Sequence, residues 1–257
     1  MKKYFCLTVL FIVFGSCAQT QQRAVQTTAD TLRENYSAIL SRTIPDSAAA
    51  DFLSSYILLK NKIQAKRTVF YQQYLKAATE ADKNRVLDSA KQYLAQALVH
   101  NVFPYWYGTQ WDFNGISEQP QHGKIACGYF VSTTIKQCGF NINRYKVAQQ
   151  YSHSIVNTLC TDIKIMHTIE SLIAYINTQP DQLYVVGLDN HVGFISKDSA
   201  TVTFIHASFV GRGCVESEQA ELSPVLQSSG TYVLGTFSGN KKILLQWLTN
   251  SPVVLMP

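Results

Sequence analysis

Between about residues 30 and 100, apolar residues recur every three or four positions, which predicts amphipathic helices. One helix is predicted before Pro45, a second after a cap at Asp46 or Ser47, and a third after Asp82. We expect these helices mainly to pack together, and alternatively to cover or narrow a substrate cleft. The apolar positions are Leu32, Tyr36, Ile39 and Leu40, then Phe52, Tyr56, Leu59 and Ile63, then Val86, Ala90, Tyr93, Leu94 and Leu98.

The pattern changes after residue 100. Segment 101–115, NVFPYWYGTQWDFNG, is rich in aromatic residues, and its Pro and Gly interrupt the preceding helix. Segment 127–140, CGYFVSTTIKQCGF, then places apolar residues at offsets 3, 4, 7, 8 and 11 from Cys127. These offsets form one stripe of a helix that begins at Cys127 and that Gly139 would end.

The C-terminal half is dominated by segments typical of β-strands, which are LYVVGL, HVGFIS, TVTFIHAS and TYVLGTF. A short helix from about Thr168, ending before Pro180, precedes the first of them, and a last helix is predicted in KKILLQWL. Helices therefore come first, and strands follow with short turns. That order predicts an α+β fold with an antiparallel sheet instead of alternating βαβ units.

The first residues have the features of an export signal. Lys2 and Lys3 precede the apolar run YFCLTVLFIVF, which is too short to span a bilayer comfortably. Small residues in FGSC then lead to Cys17, and this arrangement resembles the lipobox of bacterial lipoproteins. We predict a signal peptide over 1–16, a polar tether over 17–29 that begins at a lipidated Cys17, and anchoring to a membrane of the bacterial envelope. The alternative is an ordinary cleaved signal.

Composition and charge narrow the classes of function. Hydrophobic residues make up 46% of the chain and charged residues 15%, which is typical of a globular protein with a substantial core. The formal charge is +5, and loss of Lys2 and Lys3 with the signal would leave +3. Because the chain has no Lys/Arg run, we expect no nucleic-acid partner.

The cysteines indicate neither a zinc ribbon nor a disulfide framework. Cys6 would leave with the signal and Cys17 would carry lipid, and no C-x-x-C spacing occurs among the rest. In an oxidising envelope two of the remaining four could still pair. These four are Cys127, Cys138, Cys160 and Cys214.

Two of the six histidines are predicted to be neighbours across a β-hairpin whose turn lies in SKDSA. A turn centred between Asp198 and Ser199 would place His191 directly opposite His206, on the same side of the sheet. Such a pair is commonly a surface feature or a satisfied part of the core. It also suits catalysis, in which one imidazole acts on a nucleophile and the second fixes the tautomer of the first.

Cys127 is the candidate nucleophile. It begins a helix that has no Ser, Thr, Asp or Asn cap at residues 124–126, so unpaired backbone N–H groups are expected beside it. Those groups and a nearby imidazolium could lower the pKa of the thiol, and Gly128 keeps the turn open for an oxyanion. By itself a cysteine here is more typical of an inert, buried small apolar residue than of a nucleophile, as we expect for Cys138.

The order of these parts resembles a known family. The segment from about 104 to 210 is similar to the NlpC-type branch of papain-like bacterial cell-wall cysteine peptidases. The matching features are YWYG at Tyr105–Gly108, a helix opened by Cys127, the PDQLYVVGL strand, HVGFI at His191 and FIHAS at His206. The family usually has Asp-Cys-Ser-Gly at the nucleophile, whereas this chain has Ala-Cys-Gly-Tyr.

The resemblance implies a papain-like hydrolase domain over 101–257, preceded by a helical extension over 30–100. It implies that Cys127 is the nucleophile, His191 the general base and acid, and His206 the orienting residue. The reaction would be amide hydrolysis through a thioester, without a cofactor, on peptidoglycan stem peptides. Residues expected at the oxyanion or the substrate are Tyr107, Gly128, Trp106 and Trp111, with Tyr129 as a further cleft wall.

Three alternatives remain open from the sequence. The chain could be an inactive envelope-binding lipoprotein that keeps the fold. It could hold zinc through Cys127, His191 and His206, which would leave one coordination position open. It could also transfer the acyl group to an acceptor other than water.

Overall fold

The computed structural model describes residues 46–256. The predicted signal peptide, the lipidated Cys17, the tether and the first predicted helix lie outside the described residues, and these four remain predictions. Within the described part of the chain, no helix combines the length and apolar character needed to cross a membrane.

Two long helices open the described chain. Helix α1 (Asp46–Lys76) is the predicted second helix, and Tyr56 on its apolar face is buried. Helix α2 (Glu80–Gln96) is the predicted third helix, and it begins at a capping box in which the side chains of Thr79 and Asp82 bond to each other's backbone N–H groups. The periodicity of apolar residues therefore identified both helices.

The shorter helices position the later strands. The helix predicted to begin at Cys127 does begin there, and it ends before Gly139, whose φ is +98°. The helix predicted near Thr168 is also confirmed, with Thr168 as its N-cap. In chain order the remaining helical elements are a π-helix (Ala97–Val102), α3 (Phe103–Trp106), α4 (Cys127–Gln137), α5 (Arg144–Ala148), α6 (Ser152–Leu159), α7 (Ile169–Asn177), a 3₁₀ helix (Ala220–Leu222), α8 (Pro224–Gln227) and α9 (Lys241–Thr249).

An antiparallel sheet of six strands forms the centre of the fold, and β1 (Gln110–Trp111) and β2 (Lys124–Ile125) form a small parallel sheet of their own. The strands of the large sheet are β3 (Thr161–Met166), β4 (Gln182–Gly187), β5 (Val192–Asp198), β6 (Thr201–Ala207), β7 (Val215–Gln219) and β8 (Tyr232–Thr236). Their spatial order is β3-β8-β4-β5-β6-β7. This confirms the α+β class and the antiparallel sheet. Strands β3 and β7 were not predicted, because as edge strands they lack a continuous apolar run.

The two faces of the sheet are covered by different helices. One face carries Phe194 and Ile205 and packs against apolar residues of α4. The other face carries Ile195 and Phe204 and packs against α7 and α8. Alternation of side chains along β5 and β6 thus gives each face its own hydrophobic cluster.

The hydrophobic core is continuous across residue 101. Leu94 and Leu98 precede it, Phe103 follows it, and all three belong to the cluster that also contains the α4 residues. Phe52–Pro257 forms one compact unit. The predicted division between a 30–100 extension and a 101–257 hydrolase domain therefore does not coincide with a gap in the core, and it remains a prediction about function.

Candidate active site

His191 and His206 are in direct contact, as predicted. The His191 Nε2 atom lies 2.9 Å from the His206 Nδ1 atom, and the side chains of both residues are almost fully buried. The predicted register is wrong, however. The turn is centred between Ser199 and Ala200, one residue later than expected, so that Gly193 and not His191 is aligned with His206.

The contact was predicted correctly although the register was not, because the partner assigned to each residue was wrong by two positions. Side chains alternate between faces with a period of two, so a shift of two residues leaves the same side chains on the same face. The imidazoles therefore meet diagonally instead of directly across the strand pair. The tight turn itself is made possible by Ser199, whose φ is +53°.

A third polar residue, Glu218, extends the pair. Its Oε1 atom lies 3.1 Å from His206 Nε2, so both nitrogens of the His206 ring have partners. Glu218 on β7 is aligned with Phe204, and it therefore also reaches His206 diagonally. Sequence reasoning missed Glu218. The available signal was the alternation in VESEQ at 215–219, which has the period of a strand but too few apolar residues to stand out.

The side chains of His206 and Glu218 lie on the face of the sheet that α7 covers. The His206 ring stacks on the Phe204 ring, with centroids 4.1 Å apart, within the cluster covered by α7. The side chain of Glu218 is 24% exposed. His191 immediately precedes β5, so it lies at the end of that strand.

Cys127 lies at that same end of the sheet. Its sulfur receives hydrogen bonds from the backbone N–H groups of Val192, Gly128 and Cys127 itself. Val192 directly follows His191, so the hydrogen bond places the sulfur beside the start of β5. As predicted, the N-cap residue Ala126 provides no side-chain hydrogen bond, which leaves the N–H groups of the first turn for the sulfur.

The electrostatics differ from the sequence expectation, which was that the helix end and an imidazolium would lower the pKa of the thiol. Burial raises the pKa of Cys127, and the three backbone N–H groups only partly oppose it. Burial and repulsion from His206 hold the pKa of His191 well below its ordinary value. The resting site is therefore a neutral thiol and a neutral imidazole, not an ion pair.

Glu218 is ionised in the same conditions. Burial tends to raise its pKa, but hydrogen bonds from His206 and Ser223 outweigh burial and hold the pKa below its ordinary value. An ionised carboxylate only accepts hydrogen bonds, so His206 carries a proton on Nε2.

The other predicted site residues are divided between the site and the core. The Trp111 ring packs on Phe209, with centroids 6.0 Å apart, and Phe209 packs on His191 at 5.4 Å. Trp111 therefore belongs to an aromatic wall beside His191. Trp106 does not, because it is fully buried and its indole N–H donates to the Tyr56 hydroxyl at 2.9 Å.

Tyr107 and Gly128 have contacts that define their roles more closely. The Tyr107 hydroxyl hydrogen bonds to Ser217 on β7, and burial raises the pKa of Tyr107. A Cβ atom on Gly128 would lie 2.5 Å from the Ala148 carbonyl oxygen, so the absence of a side chain lets α4 and α5 approach. The N–H of Gly128 remains directed at the sulfur of Cys127. Tyr129, the further predicted wall, packs edge-on against Tyr145.

One cleft is formed by the segment that leads to α4. It has a volume of about 580 Å³ and is lined by residues of the 112–124 segment, including Glu118 and Lys124. Gly115 in its wall accepts a hydrogen bond from the Ala126 N–H at 2.8 Å, one residue before Cys127. Cys127, His191 and His206 do not line this cleft, so we do not assign it as the substrate site.

The residues best grouped for a metal ion are not those of the predicted zinc alternative. In the described part of the chain, His206, Glu216 and Glu218 offer ligand atoms that all lie within 4.8 Å of one another. Cys127 and His191 do not belong to this group. Both His206 nitrogens already have protein partners, so an ion there would have to displace the hydrogen bond to Glu218. Cys138, Cys160 and Cys214, like Cys127, are free thiols.

Comparisons with models of known protein families, with curated proteins and with solved structures find no match to this chain. The functional assignment accordingly depends on the chemistry of the site.

Proposed function

We propose that this chain is a cysteine hydrolase that cleaves amide bonds. The observation that supports this best is the 2.9 Å contact between His191 and His206 at the end of the sheet where Cys127 begins α4. A thiol at an uncapped helix start within reach of an oriented imidazole would be activated as a nucleophile, and the Val192 N–H that bonds to the Cys127 sulfur directly follows His191. The order of a helix with cysteine followed by antiparallel strands with two histidines also supports an NlpC-type papain-like fold.

The proposed mechanism assigns each proton. His191 uses Nε2 for its bond to His206, which leaves Nδ1 to accept the proton of the Cys127 thiol as the sulfur attacks the substrate carbonyl carbon. The N–H groups of Cys127 and Gly128 stabilise the resulting oxyanion. His191 then gives the proton to the leaving amine, and a thioester remains. Water, deprotonated by His191, releases the acid and restores the thiol.

The neutral resting state determines when proton transfer occurs. Because burial raises the pKa of Cys127 and lowers that of His191, the proton leaves sulfur during the attack and not before substrate binds. The neutral imidazole of His191 therefore acts as a general base, and its bond to His206 fixes the orientation of the ring. In this respect the site would work as a serine hydrolase does.

We propose peptidoglycan stem peptides as the substrate class and a lipid-anchored envelope protein as the form in which the enzyme acts. The resemblance of residues 104–210 to cell-wall peptidases supports the substrate. The predicted lipidation of Cys17 supports the location, because an anchored protein in the envelope encounters this amide-rich polymer. Acyl transfer to another acceptor would use the same residues.

The decisive experiment is incubation of the purified protein with defined muropeptides, followed by mass analysis of the products. We expect a single amide bond to be cleaved, no product with Cys127→Ala or His191→Ala, and reduced product with His206→Ala. Cys138→Ala is the matched control, because Cys138 lies just after the same helix but is fully buried. Equal activity of Cys127→Ala and the wild type would contradict the proposal.

A second candidate is an envelope-binding protein without catalysis. The observation that favours it is the low accessibility of the base, since His191 is only 4% exposed. Binding of muropeptides without any product, unchanged in Cys127→Ala, would support this candidate over the hydrolase.

A further inference from the structure

Glu218, His206 and His191 form a line of two hydrogen bonds that ends at His191, and the next residue, Val192, donates its backbone N–H to the Cys127 sulfur. The two bonds measure 3.1 Å from Glu218 to His206 and 2.9 Å from His206 to His191. Each bond uses a different nitrogen of the His206 ring, so the direction of one fixes the direction of the other.

We propose that Glu218 is a positioning residue that sets the protonation pattern of both histidines, so that His191 presents a bare Nδ1 to Cys127. This inference rests on the proposed function, because it names the residue that prepares the proposed base. Glu218 acts only through His206 and does not touch a substrate.

The protonation pattern follows step by step from the carboxylate. An ionised Glu218 accepts, so His206 must donate from Nε2 and, when neutral, has a lone pair on Nδ1. That lone pair must accept from His191, so His191 carries its proton on Nε2 and its lone pair on Nδ1. The reverse pattern would put a proton on Nδ1 of His191 and leave no base for the thiol.

The position of the line within the fold suits this role. Glu218 and His206 belong to the face covered by α7, whereas α4 packs on the opposite face, so the carboxylate lies away from the nucleophile. Its negative charge can still stabilise a positive charge on the histidine pair, because the intervening rings are buried.

Other charged groups near the line have partners or lie in solvent. Glu216 is aligned with His206 but pairs with Arg212 at 3.3 Å. Glu221, on the 3₁₀ helix packed against β6, is exposed. Ser223 contributes the other hydrogen bond to Glu218. Glu221 is therefore the control, because it is the same residue type, is exposed and has no bond to His206. Glu216 does not serve, because its carboxylate lies within 4.8 Å of a His206 ring nitrogen.

The protonation pattern can be measured without any substrate by long-range ¹H–¹⁵N NMR of histidine-labelled protein at pH 7.5. In the wild type we expect His191 and His206 both to carry their protons on Nε2. Glu218→Gln keeps an acceptor oxygen and should keep this pattern. Glu218→Ala removes the acceptor, and the His206 signals should shift towards an average of the two tautomers. Glu221→Gln should resemble the wild type.

The effect on catalysis is measured separately on muropeptides. We expect kcat/KM to fall about 10- to 100-fold in Glu218→Ala, to fall less in Glu218→Gln and to stay unchanged in Glu221→Gln. A purely structural role of Glu218 would not shift the His206 NMR signals in a variant that keeps its urea midpoint.

Two results would overturn the inference. One is a proton on Nδ1 of His191 in the wild type. The other is a Glu218→Ala variant that is folded, as judged by its urea midpoint, but whose His206 signals are unshifted. If the protein cleaves no muropeptide and the NMR results are as expected, the proposed function fails and the role of Glu218 stands.

Discussion

Gly193 is aligned with His206 in the pairing of β5 and β6, and it leaves space on the face where the His206 and Phe204 rings lie. A Cβ atom on Gly193 would lie 2.9 Å from His206 Cβ and 2.7 Å from the Phe204 ring. His191, two residues earlier in the chain, reaches His206 diagonally past this position. The contact between the histidines thus depends on the absence of a third side chain.

Substitution of Gly193 by alanine is expected to displace both rings. The added methyl group should lower the free energy of unfolding by about 1–3 kcal/mol, because it overpacks a buried strand pair. It should also weaken the contact between His191 and His206 and reduce activity on muropeptides. Urea unfolding and product analysis check these effects. Gly230→Ala is the control, because a Cβ there makes only an ordinary contact of 3.5 Å, and equal losses in both variants would contradict the role of Gly193.

Cys127 should react slowly with iodoacetamide at pH 6, and its rate should rise about tenfold per pH unit as the thiol ionises towards its raised pKa. Peptide mapping by mass spectrometry from pH 6 to pH 10 measures the rate. Cys138 is fully buried, and burial raises its pKa, so it should stay unlabelled in the folded protein. A rate for Cys127 that is constant from pH 6 to pH 9 would instead indicate a resting ion pair.

The stability of the protein should fall in mild acid because of His191. The unfolded chain binds a proton near the ordinary pKa of 6.5, whereas the folded chain resists it, since burial and His206 lower the pKa of His191. The contribution is fully present above pH 6.5 and is lost as the pH falls below it, by about 1.4 kcal/mol per pH unit until the lowered pKa is reached.

This pH dependence is tested by urea unfolding between pH 7.5 and pH 5. His191→Gln should flatten the curve, because no imidazole then has to be protonated in the buried site. His153→Gln should leave the curve unchanged, since the side chain of His153 is exposed. An equally steep curve for His191→Gln and the wild type would show that other groups cause the acid sensitivity.

Arg144 should be a major source of stability for the loop that leads to Cys127. Its buried guanidinium donates to the Ile116 carbonyl and the Thr133 hydroxyl, each at 2.9 Å. Arg144→Met would leave these acceptors unpaired, so we expect a loss of about 2–4 kcal/mol in the free energy of unfolding. Arg85→Met, on the exposed face of α2, is the control and should change the free energy by less than about 0.5 kcal/mol. A similar small change in Arg144→Met would contradict the prediction.

The sequence by itself determined the element types and the residues that lie on each face. The apolar period of three to four residues placed α1, α2 and α4, and alternation placed the central strands, because buried surface repeats with the period of the element that buries it. Because of the same period of two, the predicted contact between His191 and His206 held although the pairing register was wrong by two residues.

Only the tertiary structure decided the edge strands, the partner of His206 and the charge state of the site. Strand β7 is half exposed and leaves a weak pattern, so Glu218 could not be assigned to the histidines before the strands were paired. The pKa directions of Cys127 and His191 depend on how deeply each group is buried, which is a property of packing between segments distant in the chain. The local sequence determines which groups face the core. How far each group is removed from water depends on the tertiary packing of the whole core around it.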